Sequence, residues 1–270
     1  MKAKHYSVPY VIWMAIFVVV PLILVVVYAF TTADGKFTFS NYENILDYAG
    51  VFGRSFLLAI IATLVCLLIG YPVSYALSKE GARFQKIALM LIMLPMWMNF
   101  LLRTYAWMSI LENTGLLNRL LTAVGLPTLS IINTPAAVVI GMVYNFLPFM
   151  ILPIYSVIVK IDYSLIEAAH DLGARGTSVF GRVIFPLSLP GVLSGITMVF
   201  VPAVSTFVIS QLLGGGRDLL LGDLIEMQFL GTAYNPHLGS AIALVMMIIV
   251  IICMVIMNKF GEGEEQAVML

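Results

Sequence analysis

The chain has 270 residues, of which 61% are hydrophobic and 10% charged, with 14 basic and 14 acidic side chains and no formal net charge. A soluble domain carries about 45–50% apolar and about 25% charged residues, so this excess is too large for a bigger core and places the chain in a bilayer. Neutrality argues against nucleic acid as the main partner, because phosphate binding needs a basic excess. Cys66 and Cys253 lie far apart in apolar runs and read as small buried hydrophobes, not as a disulfide or metal pair.

A membrane-crossing helix needs about 20 mostly apolar residues. The first run of that length, Tyr10–Phe30, follows Lys2 and Lys4 and contains Pro21. It is too long for a signal-peptide core and lacks a small-residue cleavage site, so it is expected to be a retained helix. The second predicted span is Ser55–Ser78 and the third is Ile87–Leu111.

The third span holds the sharpest anomaly, Arg103. A charge at depth costs about 2.5–3.5 kcal/mol or more, so such a residue faces the bundle interior or a cavity, or snorkels to the headgroups. It reads as a structural intramembrane charge near the outer boundary. Trp97, Asn99 and Tyr105 share this span. An aromatic such as Trp97 either stacks on a cation in a pathway or fills a gap between helices. Asn99 has no low-cost place in lipid and is expected to bond to another helix.

Pro135–Val159 forms the fourth predicted span, and a polar segment of about 160–186 follows it. Within that segment Ser164-Leu165-Ile166-Glu167 fits a capping box, with Ser164 as N-cap and Glu167 at N3. Gly173 falls just past the helix end, where a left-handed residue is often needed. Leu165, Ala169 and Leu172 share one face, and Ala168 and Ala169 permit close approach. About two helical turns are marginal alone and need a surface to pack on.

The fifth predicted span, Leu187–Leu213, carries Pro190, Pro202 and the polar residues Ser205, Thr206, Ser210 and Gln211. It is expected to line a wet path, although Ser and Thr also bond their own backbone. Gly214-Gly215-Gly216 lacks the Lys and Ser/Thr of a phosphate loop and reads as a turn. The sixth span is Leu238–Asn258. All Asp and Glu residues fall outside the six runs.

Basic residues orient a membrane protein. One side receives Lys2, Lys4, Lys79, Arg83, Lys86, Lys160, Arg175, Arg182 and Lys259; the other receives Lys36, Arg54, Arg119 and Arg217. Both termini and the Glu167 segment are therefore expected to be cytoplasmic. His5, His170 and His237 are scattered without metal-ligand spacing, and no catalytic grouping is evident.

Glu167-Ala168-Ala169, Gly173 six residues after the Glu and Pro186 thirteen after the Gly resemble the EAA loop of ABC-importer permeases. Val183 and Phe185 depart from that pattern but stay apolar. Leu94 through Trp107, Leu147-Pro148-Phe149-Met150 and Leu212 through Gly216 resemble the spermidine/putrescine branch of the family. The resemblance implies an all-α, six-helix integral membrane protein with the type I ABC-importer permease fold, in a single transmembrane domain of the bacterial inner membrane.

It further implies that Ser164, Leu165, Glu167, Ala168, Ala169, Leu172 and Gly173 couple to an ATPase. Trp97, Asn99, Tyr105, Ser205 and Thr206 are then expected along the translocation pathway. The implied partners are two cytoplasmic ATP-binding subunits, a second and different permease chain, an extracytoplasmic substrate-binding protein and membrane lipids. No cofactor is expected on this chain, since ATP would sit on the partner subunits, and no enzymatic activity of its own is expected. A cationic cargo would meet carboxylates from the partner or from Asp218, Asp223 and Glu226 near the outer face. The competing reading is a six-helix secondary transporter or ion channel, which would need an ion site within spans that hold no acid.

Overall fold

The computed structural model describes residues 8–268 apart from 44, 217 and 232. Lys2, Lys4, His5 and Arg217 therefore lie outside the described residues. The described chain is helical, with one isolated antiparallel bridge between Thr31 and Phe37. Five helices are long and apolar enough to cross a membrane, or six when one bent pair is taken as a span. Helices suit this environment because each backbone group bonds within its own segment.

The first span joins α1 (Val8–Met14) to α2 (Val20–Ala29) through a π turn, Ala15–Val19. Pro21 is the cause: it has no N–H to give and crowds the preceding turn, and the widened turn absorbs both defects. The same device recurs where a π turn, Phe180–Ile184, runs into α10 (Phe185–Val204) just ahead of Pro186. The first span stands at the edge of the bundle and packs on α13 (Pro236–Val268).

The centre is a trio: α3 (Ala49–Ser78), α7 (Pro135–Ile158) and α10. Lipid removes the hydrophobic drive between spans, so close backbone approach and interhelical hydrogen bonds carry the packing. Gly191 and Gly195 supply the approach. A Cβ on Gly191 would sit 2.8 Å from the Pro153 carbonyl oxygen, and one on Gly195 2.8 Å from Met150 Sδ. The bonds are Ser74 Oγ to the Ile151 carbonyl at 3.0 Å and Tyr71 Oη with Ser188 Oγ at 2.8 Å.

Two predicted spans are not continuous helices. Ile87–Leu111 is split into α4 (Ala82–Met93), a 3₁₀ turn (Leu94–Trp97) and α5 (Phe100–Leu111). Pro95 lacks the donor a helix needs there, Met98 is extended, and Asn99 starts a new helix; the two halves meet at 93°. Leu187–Leu213 is likewise split. α10 ends at Val204, two residues past Pro202, and α11 (Val208–Gly214) begins after Phe207. The second span is longer than expected, since α3 begins at Ala49. Short helices α6 (Leu116–Ala123) and α12 (Leu221–Leu230) occupy the long loops.

Candidate functional site

The polar segment after the fourth span forms α8 (Tyr163–Asp171), followed by the single turn α9 (Gly176–Val179). Its cap is not the predicted one. Asp162, not Ser164, is the N-cap, and its carboxylate accepts from the Ser164 N–H at 2.9 Å. That bond holds the Asp162 carboxyl below the usual carboxylate range. Ser164 thus lies in the first turn, and Glu167 is left with its carboxylate exposed. Asp caps as well as Ser does, so the register rests on which donor lies two residues on.

The expected stop is present. Gly173 has φ +79°, its N–H donates to the His170 carbonyl at 2.8 Å, and the Ala174 N–H donates to the Ala169 carbonyl at 3.0 Å. These paired bonds form a Schellman motif, which only a left-handed residue closes at low cost. Leu165 and Leu172 are 47% and 89% exposed, and Ala168 is also exposed. Apolar side chains this bare on a two-turn helix mark a face awaiting a partner. Ile166 turns the other way, toward a cavity on the bundle side.

The breaks position the expected pathway residues. Trp97 ends the 3₁₀ turn at the bend and is 76% exposed; Tyr105, on α5, is 46% exposed. Among the described residues Asn99 makes no hydrogen bond to another helix. Its Oδ1 accepts from the Leu101 and Leu102 N–H groups at 2.9 and 3.4 Å, capping α5. Ser205 and Thr206 lie in the second break, the former exposed and the latter buried. Since α5 packs on α11, the helices that follow the two breaks run side by side. Arg103 is buried on α5, with its Nε unpartnered among the described residues and the Phe100 ring 5.9 Å from its guanidinium carbon.

The three carboxylates Asp218, Asp223 and Glu226 take different roles. Asp218 pairs with Arg54 at 2.7 Å. Asp223 is buried, accepting from the Leu220 N–H at 2.9 Å and contacting Ser210 Oγ at 2.8 Å. Burial pushes its carboxyl up, against the lowering effect of those bonds. Glu226 remains half-buried, accepting from Gln211 Nε2 at 3.2 Å. Sequence reasoning missed that Asp223 ties α12 to α11, and that Ser55 Oγ accepts from the Leu221 N–H at 2.8 Å to tie α12 to α3. Ser55 and Asp223 are 168 residues apart, so no local spacing announces the knot.

Residues 66–261 match the family described as binding-protein-dependent transport system inner membrane component. The chain belongs to that family. It is a permease component of an ABC importer, which sets aside the secondary-transporter or channel reading. The permease is 42% identical over 242 residues to the spermidine/putrescine transport system permease protein PotB of Haemophilus influenzae, covering 86% of this chain and 84% of the relative. It is 39% identical over 247 residues to PotB of Escherichia coli K12, covering 88% and 90%. In fold it resembles a chain of a bacterial ABC transporter involved in import of the acidic polysaccharide alginate. That match has a TM-score of 0.82 at 14% identity and covers 96% of this chain and 94% of that one. The MetNI methionine ABC transporter matches with a TM-score of 0.60 at 16% identity, covering 82% and 98%.

Proposed function

We propose that this permease forms half of a polyamine translocation pathway. Spermidine and putrescine are the cargo, and a different permease chain supplies the other half. The observation that carries this reading is the 42% identity to a spermidine/putrescine permease over most of both chains. The chemistry agrees: Trp97 and Tyr105 offer exposed aromatic faces to a cation, and of Asp218, Asp223 and Glu226 the last is, among the described residues, neither ion-paired nor fully buried. The predicted spans hold no acid, so the remaining carboxylates come from the partner.

Two ATP-binding subunits dock on the exposed face of α8, and their closure moves Leu165, Glu167, Ala168 and Leu172. That motion bends the broken spans at Trp97–Asn99 and Ser205–Phe207 and opens the path to an extracytoplasmic receptor. Both termini are cytoplasmic, following the bias of basic residues.

The test is purification with the native partners, followed by ATPase assays with the receptor and each ligand. Stimulation by spermidine or putrescine supports the assignment; stimulation by an anionic or neutral solute instead would sink it. Single-cysteine labelling on a Cys-free background checks topology. Ser40→Cys should react with an impermeant reagent in intact cells and Thr177→Cys should not.

A further inference from the structure

On the bundle side of α8 lies a cavity of about 660 Å³, walled by the end of α3, the start of α4 and the end of α7. Its charge pattern does not suit the proposed cargo. The Lys79 ammonium lines it, no carboxylate does among the described residues, and the Tyr75, Tyr163 and His170 side chains complete the polar wall. A polyamine would be repelled there. The floor is apolar, with Ile158 and Ile184 beneath the polar rim.

The wall is braced before anything binds. Gln85 Nε2 donates to the Ser78 and Glu80 carbonyls at 3.3 and 2.8 Å, fixing the α3–α4 turn. Tyr155 donates to Gln85 Oε1 at 2.8 Å, fixing that turn to α7. Lys79 Nζ sits 4.2 Å from the centre of the Tyr75 ring, so the ammonium is held at the rim. No ion pair to Lys79 is present among the described residues.

We propose that this cavity binds a phosphate-bearing anion, with Lys79 and the tyrosine hydroxyls at the phosphate, and that the source is the headgroup of an anionic phospholipid. A polar rim over an apolar floor, next to the ends of three spans, fits a headgroup with the start of its acyl chains better than a free ion. Because α8 forms one wall, an occupied cavity braces the helix from behind, on the face opposite Leu165 and Leu172. The cytoplasmic leaflet follows from the orientation proposed above. The site itself rests only on the cavity and its lining.

The test uses the assembled transporter, delipidated and placed in phosphatidylcholine nanodiscs with or without phosphatidylglycerol, with bound lipid counted by native mass spectrometry. Wild type should retain phosphatidylglycerol. Lys79→Gln should lower retention about fivefold, the effect of one basic residue near a lipid surface. Lys79→Arg should restore it, and Lys86→Gln, a basic neighbour outside the cavity, should leave it unchanged. In pure phosphatidylcholine discs, a Lys79-dependent rise in melting temperature with inorganic phosphate would support the anion site and overturn the lipid source. Equal loss in Lys79→Gln and Lys86→Gln, or no Lys79-dependent effect of either anion, overturns the proposal. Retention is read without transport or ATP hydrolysis, so its failure is distinguishable from failure of the polyamine assignment.

Discussion

Ser210 Oγ lies 2.8 Å from Asp223 Oδ1 and also 2.8 Å from the Phe207 carbonyl oxygen, yet a hydroxyl has one proton to give. Ser210 therefore divides its one proton between the two acceptors and holds the ionised Asp223 less firmly than an undivided bond would. Burial, the leading cause of the raised Asp223 pKa, outweighs the lowering effect of that bond. A raised folded-state pKa contributes stability that is full below the unfolded value of about 3.9 and lost as pH rises through the folded one. Wild-type melting temperature should therefore fall as pH climbs above that unfolded value, and Asp223→Asn should flatten that dependence. Asp223→Ala orphans the Leu220 N–H and should cost about 1–3 kcal/mol at any pH in thermal unfolding.

Glu167 makes no capping bond, so its substitution separates docking from folding. Glu167→Ala and Glu167→Gln should both leave normal amounts of chain in the membrane while reducing co-purification of the ATPase. Asp162→Ala removes the actual cap and should fray α8, lowering ATPase coupling even with Glu167 intact. Normal transport in both Glu167 variants would remove that residue from the docking face.

Trp97 at the bend is predicted to hold cargo by its ring face, a contact of roughly 0.5–2 kcal/mol. Trp97→Leu should then raise the KM for uptake about 2- to 30-fold with assembly intact. Uptake unchanged across substrate concentrations would take Trp97 out of the pathway.

Arg103 is buried and lacks a protein partner for Nε among the described residues. A fixed positive charge facing the path would repel a polyamine, so Arg103 is predicted to hold helices together instead. Arg103→Leu should lower the amount of assembled transporter recovered by size-exclusion chromatography. Normal assembly with altered substrate preference would instead place the guanidinium at the path.

Gly191 faces a backbone carbonyl that cannot move without bending α7, whereas Gly195 meets the flexible end of Met150 first. Gly191→Ala should cost about 1–3 kcal/mol in thermal unfolding, and Gly195→Ala less. Equal losses would mean that α7 and α10 slide apart freely.

Length and hydropathy determined the membrane class and the limits of the first, fourth and sixth spans, because lipid demands about 20 apolar residues in one self-bonded helix. The Gly173 stop was legible for a similar reason: a left-handed closing residue is a local requirement. The cap at Asp162 was also local, but two good capping residues stood two positions apart, and only the backbone geometry decided between them. The breaks at Asn99 and Ser205 were hidden because hydropathy averages over a window and does not register one extended residue, although Pro95 with Asn99, and Pro202, carried the signal. The Ser55–Leu221 and Ser210–Asp223 ties, the burial of Arg103 and the cavity behind α8 were settled by tertiary structure alone. Each joins residues on different helices, and a linear pattern sets the period of a helix but not which faces meet.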